Sequence, residues 1–213
     1  MSNISILGLG TYARAIGTRG VEAGHAVEVI GRDAAKAKAK DLASALGGGA
    51  TAGTFGTAPA GDIVILAVPY ASAAQVLAQY GDALAGKVII DISNTFNADA
   101  TALVTPDGTS GAQEIAKAAP ADADIVKAFN TQSAHVLAAG PVEGHPLDVF
   151  IAGNDAQAKA RVSAFIESLG LRSMDTGQLT MARTLEHVCL LSLGLMTHSV
   201  KNTNFAIGVS LPG

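Results

Sequence analysis

The sequence predicts an α/β fold: a doubly wound, mostly parallel sheet followed by a short α-helical C-terminal appendage. Three observations predict it. A short apolar run, Ile4 to Leu7, leads straight into Gly8 and Gly10, and residues 14–23 can continue as a helix. Continuous apolar runs recur at 62–68 (D-I-V-I-L-A-V) and 87–92 (K-V-I-I-D-I), as expected for strands covered on both faces. Helix-length segments alternate with these runs along the whole chain, which favours parallel strands joined by crossover helices.

Taken in order, residues 4–7 are the first strand and 26–30 (A-V-E-V-I) the second, separated by a helix and the Gly24-His25 turn. Asp33 is placed to cap a helix over 34–46, which Gly47, Gly48 and Gly49 end. A short third strand falls near 50–54, a fourth at 62–68 broken by Pro69, then a helix at 72–80 and a fifth strand at 87–92. Residues 95–111 lack periodicity and read as a loop near the site, with a helix at 111–119 after it. The sixth strand is 124–129 (D-I-V-K-A-F) and is followed by a helix at 133–138. The seventh is 147–152, followed by a helix at 155–169 capped by Asn154 or Asp155. A last short strand at 171–174 precedes the longest apolar helix, 179–199, and an alternating tail with Phe205, Ile207, Val209 and Leu211. This divides the chain into a sheet domain, 1–176, and a C-terminal helix and tail, 177–213.

Composition narrows the function classes. The chain has 213 residues, enough for one sizeable core, with 49% hydrophobic and 15% charged residues, which excludes a disordered chain. A net charge of −4 gives no reason to expect a nucleic acid partner. No apolar stretch is long enough to span a membrane, and the N-terminus enters a strand at once, so neither a membrane segment nor a signal peptide is expected. Cys189, the single cysteine, cannot form an internal disulfide, which fits a cytoplasmic setting. His135, His145, His187 and His198 lack ligand spacing and have no paired cysteines, so no metal site is expected.

Gly8, Gly10 and Ala13 stand at the spacing G-x-G-x-x-A between the first strand and the first helix, the fingerprint of a Rossmann-type dinucleotide site. Gly8 makes the tight turn, Gly10 lets a pyrophosphate approach the backbone, and Ala13 lets the helix pack close to the strand. Leu9, Thr11 and Tyr12 complete the turn, and the helix N-terminus offers N–H groups to the phosphates. An NAD site carries an acidic residue at the end of the second strand, roughly 20 residues past the glycines. Here that place reads Gly31-Arg32, and a guanidinium there would pair with a 2′-phosphate. Lys36, one helical turn on, can reach the same phosphate, whereas Lys38 and Lys40 are read as solvated. The expected cofactor is therefore NADP(H). Ligands bind such sheets at the carboxyl ends of the strands. That rule adds Pro69, Tyr70 and Ser72, with Asn94 and Asn130, to one crevice. A Ser-His-Asp assignment from Ser93, His135 and Asp148 lacks a nucleophile-elbow pattern and is set aside.

The chain resembles the NADP oxidoreductases that use the deazaflavin coenzyme F-420, and the related NADPH domains of the STEAP metalloreductases. The resemblance is carried by Gly8 to Ala13, Gly31-Arg32 with Lys36, Ala67-Val68-Pro69, Asp91-Ile92-Ser93-Asn94 and Val126 to Thr131. It continues through Asp175 to Leu179, leading to Ala182-Arg183 and Glu186. Thr11 and Tyr12 depart from the Asn-Met or Asn-Leu pair of relatives. The resemblance implies hydride transfer between NADPH and a flavin-like ring. It also implies that Val68 and Pro69 flank the nicotinamide ribose, that Asn94 and Asn130 line the nicotinamide end, and that two copies pair through the C-terminal helix as a homodimer. Transfer between two bound rings needs position and exclusion of water, so no catalytic side chain is assigned. The acceptor is expected to be a diffusible small molecule, coenzyme F-420 or FMN/FAD. The alternatives are an NADPH-dependent flavin or ferric reductase and a non-catalytic NADP(H)-sensing protein.

Overall fold

The computed structural model describes residues 1–142 and 145–210, except the side chain of Asp33. The cap expected of Asp33 and the end of the tail at Leu211 lie outside what is described. Eight strands form one sheet: β1 (Asn3–Leu7), β2 (Ala26–Ile30), β3 (Thr51–Ala52), β4 (Ile63–Leu66), β5 (Val88–Asp91), β6 (Asp124–Lys127), β7 (Asp148–Gly153) and β8 (Arg172–Asp175). Their order is β3-β2-β1-β4-β5-β6-β7-β8. The chain thus winds outward in one direction from β1 to β3 and in the other from β4. The crevice between the carboxyl ends of β1 and β4 is the topological switch point.

Alternation along each strand sorts the core into two faces. Ile4, Ile6, Val27, Val29, Ile63 and Ile65 face α1 (Thr11–Glu22), α2 (Lys36–Leu46) and α6 (Ala156–Ser168). Leu7, Ile30, Val64, Leu66 and Ile89 face α3 (Tyr70–Tyr80) and α4 (Gly111–Ala116). Because both faces are covered, the central strand β4 (I-V-I-L) is apolar throughout and β5 is apolar up to Asp91. Arg19 of α1 donates to the Leu137, Ala138 and Leu169 carbonyls, closing the ends of α5 (Ala134–Ala139) and α6 with one guanidinium.

Several boundaries differ from the sequence expectation. A 3₁₀ turn, Asp33–Ala35, precedes α2, which starts only at Lys36. Helix α3 starts at Tyr70, directly after Pro69. Ser110 and Gln113 form a reciprocal capping box that sets the start of α4. Asp155, not Asn154, caps α6, accepting from the Ala158 N–H at 2.7 Å. The long C-terminal helix is broken into a 3₁₀ turn, Leu179–Met181, then α7 (Ala182–Leu195), then a π turn, Met196–Val200. Strand β7 runs antiparallel to β6. A parallel return needs a crossover that travels back along the sheet. The six-residue α5 is too short for that, so the chain enters β7 from the carboxyl end of β6.

Candidate dinucleotide cleft and its polar floor

The turn after β1 is fixed by two glycines with different causes. Gly8 has φ +136°, donates its N–H to the Ile30 carbonyl at 2.9 Å, and lies so close to Ala67 that a β-carbon would overlap that carbonyl. The fold itself requires this glycine. Gly10 has φ −82°, and a β-carbon there would meet nothing within 4 Å. The fold leaves that space open, as a backbone approached by a phosphate requires. Gly10 is also the N-cap of α1, with no side-chain cap and no acidic residue in the first turn, so the helix's first N–H groups remain free for an anion. Ala13, fully buried, packs in the core beneath the turn.

A cleft of about 420 Å³ opens at this switch point. Of the residues expected at the dinucleotide, Gly8, Leu9, Gly10, Gly31, Arg32, Ala67, Val68, Pro69 and Ser72 line it. Thr11, Tyr12, Ala13, Lys36, Tyr70, Asn94 and Asn130 do not. Ala35, Lys38, Phe55, Gln75, Val76 and Gln79 line it without having been expected. The recurrence of Ser72, Gln75, Val76 and Gln79 at helical spacing carried a signal for one wall; Phe55, in an irregular loop, had none.

Gly31 is buried beneath Leu9, whose Cδ1 would stand 2.5 Å from a β-carbon there. Arg32 and Lys38 are exposed at the cleft. Lys38, expected to be solvated away from the site, takes the place given to Lys36. The cause is the 3₁₀ turn before α2: its tighter winding shifts the phase, so that Ala35 and Lys38, three apart, face inward. Among the described residues no carboxylate lines the cleft, and two cations do.

Past the carboxyl ends of β5 and β6 lies a buried polar cluster. Asn94 and Asn130, at the ends of β5 and β6, bond each other: Asn94 Nδ2 donates to the Asn130 carbonyl and Asn130 Nδ2 to Asn94 Oδ1, both at 3.0 Å. Asn130 also donates to the Leu185 carbonyl of α7 at 3.1 Å and is fully buried. Asn94 is half-buried and donates to Cys189 Sγ at 3.3 Å. Burial pushes the Cys189 thiol up to about 11, against the opposing pull of Lys127 and Asn94. Phe129 turns the chain here with φ +61°, an uncommon conformation for a bulky residue. Ser93 Oγ, Asn130 Oδ1, Thr131 Oγ1 and Gln132 Oε1 are buried with no hydrogen-bond partner among the described residues. Such a concentration at the neighbouring ends of β5 and β6 marks a polar site.

Tyr12 does not line the switch-point cleft. Its hydroxyl donates to the Gln132 carbonyl at 2.7 Å, and burial pushes its pKa up to about 12. Gln132 in turn donates to the carbonyls of Asp148 (2.8 Å) and Ile207 (3.4 Å), linking the glycine turn to the tail. The tail folds back over β7: Arg172 grips Asp148 through two bonds and also donates to the Val209 carbonyl, while the Val209 N–H donates to Asp148. Between this tail and Pro141, Val142, His145, Pro146 and Leu147 lies a second cleft of about 700 Å³. No group of metal-ligating side chains occurs among the described residues, and no helix there is long and apolar enough to cross a membrane.

Comparison with known proteins agrees with this geometry. Residues 3–95 match the family model NADP oxidoreductase, coenzyme F-420-dependent. Metalloreductase STEAP3 of Rattus norvegicus is 32% identical over 196 residues, covering 88% of this chain but 36% of that protein. The chain therefore spans about a third of that relative's length. The F-420-dependent NADP reductase of Methanocaldococcus jannaschii is 28% identical over 155 residues, covering 69% of this chain and 68% of that one. A candidate F-420-dependent NADP reductase from Arthrobacter sp. FB24 superposes with a TM-score of 0.85 at 27% identity, covering 99% of this chain and 100% of that one.

Proposed function

We propose that this chain, which is similar to the coenzyme F-420-dependent NADP oxidoreductases, transfers a hydride between NADP(H) and the deazaflavin coenzyme F-420. The likeness supports NADP-dependent oxidoreductase chemistry, and the acceptor is the finer part of the proposal. One observation carries the cofactor half: a cleft floored by an open Gly10, with Arg32 and Lys38 at its rim and no carboxylate among its described lining residues. When bound, NADPH supplies the hydride.

The chain's own residues supply position. Gly10 and the free N–H groups of α1 hold the pyrophosphate. Arg32 and Lys38 pair with the 2′-phosphate. Val68 and Pro69 flank the nicotinamide ribose, and Asn94, backed by Asn130, stands at the nicotinamide end. The planar acceptor stacks on the nicotinamide beside Pro69 and Asn94, where exclusion of water favours the transfer. The acceptor is a diffusible co-substrate, since only 4% of residues are aromatic and few are placed to retain a flavin. A second copy of the chain pairs through α7, whose Leu191 is exposed.

The likeness to STEAP3 supports a second reading, reduction of FMN, FAD or a ferric chelate. The deciding experiment follows NADPH oxidation with coenzyme F-420, FMN, FAD and ferric citrate side by side. Turnover with F-420 well above the others is expected. Turnover with the ferric chelate or flavins alone would replace the proposal with the second reading.

A further inference from the structure

Three charged side chains, Lys127, Asp91 and Glu186, are fully buried and have no part in the contacts described for the cofactor. Lys127 Nζ donates to Asp91 Oδ2 at 2.8 Å, to the Ser93 carbonyl at 2.5 Å and to Glu186 Oε1 at 3.1 Å, the full complement of an ammonium group. Asp91 Oδ1 accepts from the Ser93 N–H, and Glu186 accepts from the Thr95 hydroxyl and the Gly111 N–H. Burial alone would lower the Lys127 pKa, but the two carboxylates hold it above its ordinary value, so the side chain is a cation. Apolar side chains filling the same volume would avoid the desolvation of three ions, so stability alone does not account for this cluster. What it provides is fixed geometry among β5, β6 and α7.

Each member adjoins the asparagine pair along the chain. Asn94 follows Ser93, whose carbonyl Lys127 holds. Asn130 lies on the turn that leaves β6 after Lys127. Leu185, whose carbonyl accepts from Asn130, precedes Glu186. The two amides that bond each other are therefore attached on every side to a frame that the ammonium closes. On the reading that Asn94 stands at the nicotinamide end, we propose that Lys127, with Asp91 and Glu186, is a positioning residue. It holds the Asn94–Asn130 pair, and through it the nicotinamide, without touching the cofactor.

The test separates the two halves of the cofactor. Lys127→Met/Glu186→Gln removes one charge of each sign and preserves side-chain length. Glu186→Gln alone, which keeps an acceptor for Lys127, serves if the double variant does not fold. Binding of adenosine 2′,5′-bisphosphate reports the phosphate end; binding and nicotinamide fluorescence of NADPH report the other. The variant is expected to bind the bisphosphate like the parent and NADPH about tenfold more weakly, the loss of roughly one hydrogen bond, with bound emission falling towards that of free NADPH. Asn94→Ala should reproduce this, and adding it to the charge variant should cost nothing more. Equal weakening of both ligands, unchanged NADPH binding, or multiplying effects would overturn the proposal. An Asn94→Ala protein that holds NADPH like the parent would overturn the placement of the nicotinamide, and this proposal with it.

Discussion

Gly8 and Ala67 touch across the switch point so closely that a β-carbon on the glycine would overlap the alanine's carbonyl oxygen. Two residues on, Gly10 faces open space. The two glycines of one motif therefore meet different constraints: the fold requires the one at Gly8 and leaves the space over Gly10 open.

Their substitutions should separate. Gly8→Ala forces an overlap and places a side chain at φ +136°, and is expected to cost about 3 kcal/mol or more in urea denaturation. Gly10→Val should change stability by no more than about 1 kcal/mol, because its φ is ordinary. It should nevertheless abolish NADPH binding. A Gly10→Val protein that binds NADPH normally would remove this turn from the phosphate site.

Arg32→Ala should weaken NADPH by about tenfold to a hundredfold, the worth of a charge-assisted bond, and leave NADH nearly unchanged. Lys38→Ala should act in the same direction and more strongly than Lys36→Ala, since Lys38 lines the cleft and Lys36 does not. Titration of all three variants with both cofactors decides the order; equal losses for NADPH and NADH would refute the phosphate assignment.

The tail's hold on β7 should depend on pH in a defined direction. Burial would raise the Asp148 pKa, but the bonds from Arg172 and the Val209 N–H outweigh it and hold the carboxyl below its ordinary value. A carboxylate whose folded pKa is depressed stabilises above its unfolded value, about 4, and loses that contribution as pH falls through the folded value. The tail should thus resist proteolysis at neutral pH and down to the normal aspartate range, and be released below it. Asp148→Asn should be cleaved within 201–210 at neutral pH; a variant as resistant as the parent would show that other contacts hold the tail.

Leu191 is 56% exposed on α7 and Val200 45% exposed just beyond it. If a second copy covers this face, sedimentation should give twice the chain mass, and Leu191→Glu should give the single mass with the fold retained. A parent protein that sediments as one chain at all concentrations would exclude the pairing.

The central strands were legible in the sequence because a strand covered on both faces is mostly apolar, as at Ile63–Leu66 and Val88–Ile90, and such a run is not imitated by a solvent-exposed helix. The glycine turn was legible because its constraints are local: a positive φ at Gly8, an open backbone at Gly10, a small residue at Ala13. The missing acid at Gly31 and the cation at Arg32 were legible for the same reason. What lies one layer out was not. Which lysine reaches the cleft depended on a single 3₁₀ turn before α2, a small change in winding that residue counting does not show. The direction of β7 depended on the length of α5, since an apolar run reads alike in both directions. Asn94 and Asn130 were visible as polar strand ends, but their mutual bonds and the ions behind them were not. Asp91, Lys127 and Glu186 come from three distant segments, and burial converts them from ordinary charges into one fixed cluster. The sequence by itself determined the elements and the glycine turn, where the cause lies within a few residues. Only the tertiary structure decided which polar groups meet, because that is set by how separate elements pack and by water being excluded between them.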